Sequence, residues 1–105
     1  VLINLLSNAV LALRKVDREN PAIHVSAVWA QERLRVSVRD NGGGIAAANL
    51  SRVFEPFFTT REVGQGLGLG LSISYSVIKR HGSVLTAESV LGEWTQMIFD
   101  LPRPQ

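Results

Sequence analysis

Cysteine is absent from this 105-residue chain, which excludes disulfides, thiolate metal centres and thiol catalysis and fits a reducing compartment. Missing as well is any apolar run of the roughly twenty residues that a membrane span needs. The opening "VLINLLSNAVLAL" is too short, and Asn4, Ser7 and Asn8 interrupt it; no secretory signal is visible. Nor is charge of one sign concentrated anywhere. The formal net charge of +2 is scattered, the one basic group, Arg14, Lys15 and Arg18, reads as a solvated helix end, and nothing calls for a nucleic-acid partner. The common nucleotide motifs are absent too: no GxxxxGK[ST], no GxGxxG and no His-Arg-Asp catalytic loop. There is no internal repeat and no linker.

What is present describes one small globular domain, with 46% of its residues hydrophobic. Residues 1–16 carry a helical pattern, with Leu2, Leu6, Ala9 and Leu13 on one face and Asn4, Ser7, Asn8 and Leu11 on the opposite one. This helix begins with no cap and no initiator Met, so the chain reads as a fragment whose first turn, and structure before it, lie outside it. "AIHVSAVWA" and "LRVSVRD" alternate as two strands of a hairpin turning at Gln31 and Glu32. "NGGGI" then breaks the pattern, "AAANLSRVF" is a short helix or turn, and "EPFFTTREVGQG" is a loop. A second helix is predicted from about Gly68 to Arg80, ending at His81-Gly82, followed by two strands around a turn near Gly92, the last ending near Pro102. This order predicts an α+β two-layer sandwich, a mixed, mostly antiparallel sheet with helices on one face.

Three stretches could carry chemistry. In "GQGLGLGLS", residues 64–72, glycine stands at every second position before a helix. A strand would gain nothing from those glycines, whereas a backbone approaching an anion at a helix N-terminus would. Asn4 and Asn8 lie four apart on a leucine-rich helix; that face is either simply wet, or an amide oxygen ligates Mg²⁺. Asp40 ends a strand and is followed by Asn41, Gly42, Gly43 and Gly44. That is ordinary turn chemistry, or a carboxylate accepting a ligand N–H while glycines let a ring lie against the backbone.

"NLLSNAVLAL", "VRDNGGGI", "VFEPFFTT" and "GQGLGLGLSIS" occur in the order and spacing of the N box, first glycine box, F box and second glycine box of bacterial sensor histidine kinases. The chain resembles their catalytic ATP-binding domain over nearly its whole length, and its "GQGLGLGLSISYSVIKRHG" stretch is similar in style to sensors of the dicarboxylate and nitrogen-regulation type. The resemblance implies the Bergerat (GHKL) fold shared with gyrase-type ATPases, and a domain spanning 1–105 that is truncated within its N-box helix. It implies ATP and Mg²⁺ as cofactors, with Asn8 as metal ligand and Asn4 assisting at the phosphates. Asp40 would receive the adenine amino group, Gly42, Gly44 and Ile45 would line the base, and Thr95 would lie near it through water. Gly66, Gly68 and Gly70, with Leu67 and Leu69 between them, would cradle the phosphates. Phe54, Phe57 and Phe58 would hinge the ATP lid, or simply be core; Thr60 would lie beside them, and Arg61 would reach the γ-phosphate. The chain departs from the family at Leu11, at Ser83 and at Trp94, the last standing where a small residue is commoner.

In ATP-hydrolysing relatives a glutamate four residues before the metal-binding asparagine acts as general base; here that residue is Asn4. The resemblance therefore implies transfer of the γ-phosphate to a histidine on a separate dimerisation domain, in cis or in trans, and onward to a response regulator. The parent would be a homodimeric membrane-bound sensor with this domain in the cytoplasm. His24, in a strand, and His81, at a helix end, read as structural. Competing readings are a nucleotide-binding pseudokinase module, an anti-sigma-factor-type serine protein kinase and a gyrase-like ATPase module. The F box opposes the second and Asn4 the third.

Overall fold

A computed structural model of the chain describes residues 1–55 and 70–102. The order of elements is α1 (Leu2–Arg14), β1 (Ile23–Ala30), β2 (Arg33–Asp40), α2 (Ala47–Leu50), α3 (Gly70–Arg80), β3 (Thr86–Val90) and β4 (Trp94–Pro102). The four strands form one sheet in the order β1-β2-β4-β3. Every pairing among the described strands is antiparallel, in keeping with the mostly antiparallel sheet expected from the sequence.

The hairpin between β1 and β2 turns at Gln31 and Glu32, as the alternation predicts. Both residues have positive φ, 52° and 65°, the backbone of the two-residue turn whose twist matches that of antiparallel strands. At the other end of the chain α3 stops at Gly82, whose φ is +81°. The Ser83 amide donates to the Ile78 carbonyl at 3.2 Å and that of Gly82 to Lys79 at 3.1 Å, the paired bonds that close a helix on a left-handed residue.

Register sorts the side chains. Partners in antiparallel strands share a face, so Val38 and Met97 form one row with Ala87, and Val36 and Phe99 form the next. These pack with Leu5 and Ala9 of α1, Ile78 of α3 and Leu85 into the core. The buried line of α1 is Leu5 and Ala9: Ala9 lies on the leucine face read from the sequence, with Leu6 packed beside the core, whereas Leu5 is in neither set. At 100° per residue Leu5 falls between the leucine set and the asparagine set, so the buried line is rotated partly toward the asparagines, leaving Leu2 40% exposed and Asn4 and Asn8 half-buried. On the other face of the sheet lie Arg33, Arg35 and Arg39, and Arg39 sits over the Trp94 ring at 4.1 Å.

Candidate nucleotide site

One row of the helix-covered face is polar. Register aligns Asp40 with Thr95, and Thr95 with Ser89, and both Asp40 and Thr95 are buried, each 6% exposed. Ser89 Oγ donates to the Trp94 carbonyl at 2.7 Å, accepts from the Ile45 amide at 2.7 Å, and lies 2.9 Å from Thr95 Oγ1. A hydroxyl has a single proton, and a carbonyl can only accept, so Thr95 is the donor to Ser89 and its own lone pairs stay available. Trp94 belongs to the opposite face, so its bulk is directed away from this row.

Asp40 closes β2 at the point where the chain turns. Its Oδ1 accepts the Gly42 amide at 2.9 Å, whereas no protein donor reaches Oδ2 among the described residues. Burial raises the Asp40 pKa, opposed in part by the Gly42 bond. A buried carboxylate held by one amide, with its other oxygen open, suits a ligand that brings an N–H donor.

The glycines of this turn answer first to the protein itself. A Cβ on Gly42 would lie 2.9 Å from backbone and side-chain atoms of Ala12 in α1. Gly44 combines a φ of +70° with a would-be Cβ only 2.3 Å from the Val90 carbonyl oxygen. The turn is thus wedged between α1 and the β3–β4 connection, where Gly92 donates to the Gly43 carbonyl at 2.7 Å. Ile45 also packs against the core.

Helix α1 links this turn to α3. Asn4 Nδ2 donates to Ser74 Oγ at 3.2 Å, and Ser74 is fully buried in α3. Ala12, the residue that Gly42 contacts, is eight positions on, or about 12 Å along the helix axis. Asn8 stands midway on the same side, half-buried, and its amide has no hydrogen-bond partner among the described residues. Asn4, Asn8, Asp40, Gly42, Gly44, Ile45 and Thr95 therefore belong to one continuous structure, with Gly70 as the first residue of α3. Phe54 stacks on Tyr75 with ring centroids 5.2 Å apart, on the edge of the core. The remaining residues singled out in the sequence, Phe57, Phe58, Thr60, Arg61, Gly66, Leu67, Gly68 and Leu69, lie outside the described residues.

Two residues escaped the sequence reading. Ser89 could have been found, because strand alternation places it on the core-facing side with Ala87, where a polar residue needs a partner. Arg18 could not. Its place beside Arg14 and Lys15 marks a solvated helix end, yet its Nε donates to the Asn41 carbonyl and its Nη2 to that of Gly42, both at 2.8 Å, and Nη2 also donates to the Gly92 carbonyl.

With this geometry in hand, residues 1–105 match the family model described as "Histidine kinase-, DNA gyrase B-, and HSP90-like ATPase". The chain belongs to that family, as a catalytic domain of the histidine kinase type. It is 42% identical to the two-component sensor PprA of Pseudomonas aeruginosa over 97% of its own length and 11% of PprA. It is 34% identical to the sensor histidine kinase ZraS of Escherichia coli K12 over 97% of the chain and 21% of ZraS. Among solved structures, the catalytic domain of histidine kinase ThkA superimposes with a TM-score of 0.79 at 35% identity, covering 97% of this chain and 63% of that one. Full-length ShkA in complex with AMPPNP gives 0.80 at 30% identity, covering 96% and 20%. The chain thus spans only a fraction of the curated relatives it matches.

Proposed function

We propose that this domain binds ATP with Mg²⁺ and positions the γ-phosphate for transfer to a histidine on a separate helical dimerisation domain, from which it passes to an aspartate of a response regulator. The observation that carries the nucleotide reading is Asp40, a buried carboxylate with one oxygen held by the Gly42 amide and the other without a protein donor among the described residues. Its free oxygen accepts the adenine amino group, Gly42, Gly44 and Ile45 line the base, and Thr95 offers lone pairs to a bridging water. The phosphates then run along the line Asn8 to Asn4 toward the N-terminus of α3, which Gly70 opens and which Gly66 and Gly68 precede in the sequence.

Among the described residues no group of three His, Cys, Asp or Glu side chains could hold a metal. The donor set fits an ion that takes few protein oxygens and completes its shell with phosphates and water, and Asn8 Oδ1 is the protein oxygen suited to it. When bound, Mg²⁺ neutralises charge on the triphosphate. Asn4 cannot accept a proton and is bonded to Ser74, which leaves water unactivated and favours transfer over hydrolysis. His24 is exposed in β1, paired with Arg39 on the opposite face of the sheet from Asp40, and His81 is exposed just after α3; neither belongs to the Asp40 row, which supports a phosphoacceptor on another domain. No described helix is long and apolar enough to cross a membrane, and attachment of the parent to a membrane rests on the family resemblance alone.

Titration of a fluorescent ATP analogue into the folded chain tests this reading. Saturable binding that Mg²⁺ enhances and that ATP, but not GTP, displaces is the expected result; absence of binding by a chain folded by circular dichroism refutes it. Asn8→Ala is expected to abolish the Mg²⁺ enhancement, and an unchanged enhancement removes Asn8 as the metal ligand.

A further inference from the structure

Arg18 lies in the connection between α1 and β1, half-buried, and donates to the carbonyls of Asn41, Gly42 and Gly92. No carboxylate pairs with it among the described residues; its guanidinium is spent on backbone oxygens from two separate turns. The peptide joining Asn41 to Gly42 is planar and trans, so its carbonyl and its N–H point in opposite directions. One side of that peptide is fixed by Arg18 at 2.8 Å, and the other donates to Asp40 Oδ1 at 2.9 Å. The two bonds also reinforce each other, because drawing electron density toward the carbonyl makes the N–H a better donor.

We infer that Arg18 is a positioning residue for base recognition: it sets the plane of the Asn41–Gly42 peptide, which in turn fixes the rotamer of Asp40 and leaves Oδ2 facing the ligand. Its third bond, to Gly92, ties the turn to the β3–β4 connection that also receives Gly44. Asn41 supports the same arrangement from the side, accepting the Ala22 amide at 2.8 Å and donating to the Asn20 carbonyl at 2.8 Å. A lysine at position 18 offers a point charge and cannot span three carbonyls with a planar fork, so Arg18→Lys does not replace it. The inference rests on the nucleotide reading for its ligand, but the link from Arg18 through Gly42 to Asp40 exists without one.

Two measurements on Arg18→Met and Arg18→Lys test it. In the nucleotide-free chain, hydrogen exchange at the Gly42 amide is expected to accelerate at least about tenfold, while Val38 and Met97 amides keep their protection. In titrations, the dissociation constant for ATP is expected to rise about tenfold, and that for purine riboside triphosphate, which lacks the exocyclic amino group, less than about twofold. A merely structural role weakens both nucleotides equally and exposes Val38 and Met97 together with Gly42, and that result overturns the inference. Unchanged Gly42 exchange in a folded variant overturns it as well. If the unsubstituted chain binds neither nucleotide, the ATP reading fails while the exchange measurement still decides the role of Arg18.

Discussion

Two aspartates mark opposite ends of the paired strands β2 and β4, and their surroundings could hardly differ more. Asp100, on the open face, accepts Arg33 at 2.7 Å and Ser83 at 2.5 Å, and these bonds hold its carboxyl below the usual carboxylate range. Asp40, on the helix-covered face, has no cation beside it among the described residues; it is buried, and burial pushes its pKa up. Asp100 is spent on the protein. Asp40 keeps one carboxylate oxygen without a protein donor among the described residues, in an environment that disfavours its charge.

Each end also has a glycine at positive φ, and these give the largest expected contrast. Gly44→Ala would drive a Cβ into the Val90 carbonyl as well as forcing a left-handed alanine, and is expected to cost about 3 kcal/mol or more in urea denaturation. At the Asp100 end, Gly82→Ala meets nothing within 4 Å, so only the backbone term of about 1–2 kcal/mol remains. Equal losses would show that the Asp40 turn is not wedged against its neighbours.

Next come the carboxylates themselves. Asp40→Asn is expected to weaken ATP binding by roughly 10- to 100-fold, the worth of a hydrogen bond to a charged group, and isothermal titration calorimetry checks it. The same substitution is expected to raise the melting temperature at pH 7. The folded-state pKa of Asp40 lies above the unfolded value, so its contribution is fully favourable only below the unfolded pKa and is lost as pH rises through the folded one. The gain therefore shrinks as the pH is lowered into the ordinary carboxylate range.

Asp100→Asn has the opposite sign and the smallest size. Its folded pKa is depressed, so its contribution is present at neutral pH and fades as pH falls through that lower value. The pair is partly exposed, with 38% and 41% of the two side chains open to solvent, so a loss of about 0.5–1 kcal/mol is expected, further reduced by salt. ATP affinity should stay within about twofold of the parent; a large loss there would join the two ends that the structure separates.

Much of the framework was legible in the sequence because it follows short-range rules. Alternation located all four strands, the turn at Gln31 and Glu32 included, and Gly82 announced the end of α3. Asp40 stood out because a strand ended on a carboxylate before three glycines. Less visible was why those glycines are required: Ala12 and the Val90 carbonyl, not a ligand, fill the space a Cβ would take, and both are far away along the chain. Arg18 shows the limit most clearly. Its partners are backbone carbonyls 23, 24 and 74 residues away, and carbonyls have no residue type for a pattern to recognise. The sequence pattern of α1 marks Ala9 and Leu6 but not Leu5, because the sheet beneath decides how far the buried line is rotated from the leucine face.

Helix α1 touches α3 through Asn4 and the glycine turn through Ala12. The separation of the two ends is therefore counted in residues, and so is their angular phase. One residue inserted between Asn8 and Ala12 would lengthen the span by only about 1.5 Å but rotate one end about 100° against the other. Phase therefore matters more than length in this helix: a shifted count would turn Asn4 away from Ser74 while Ala12 stayed against the glycine turn.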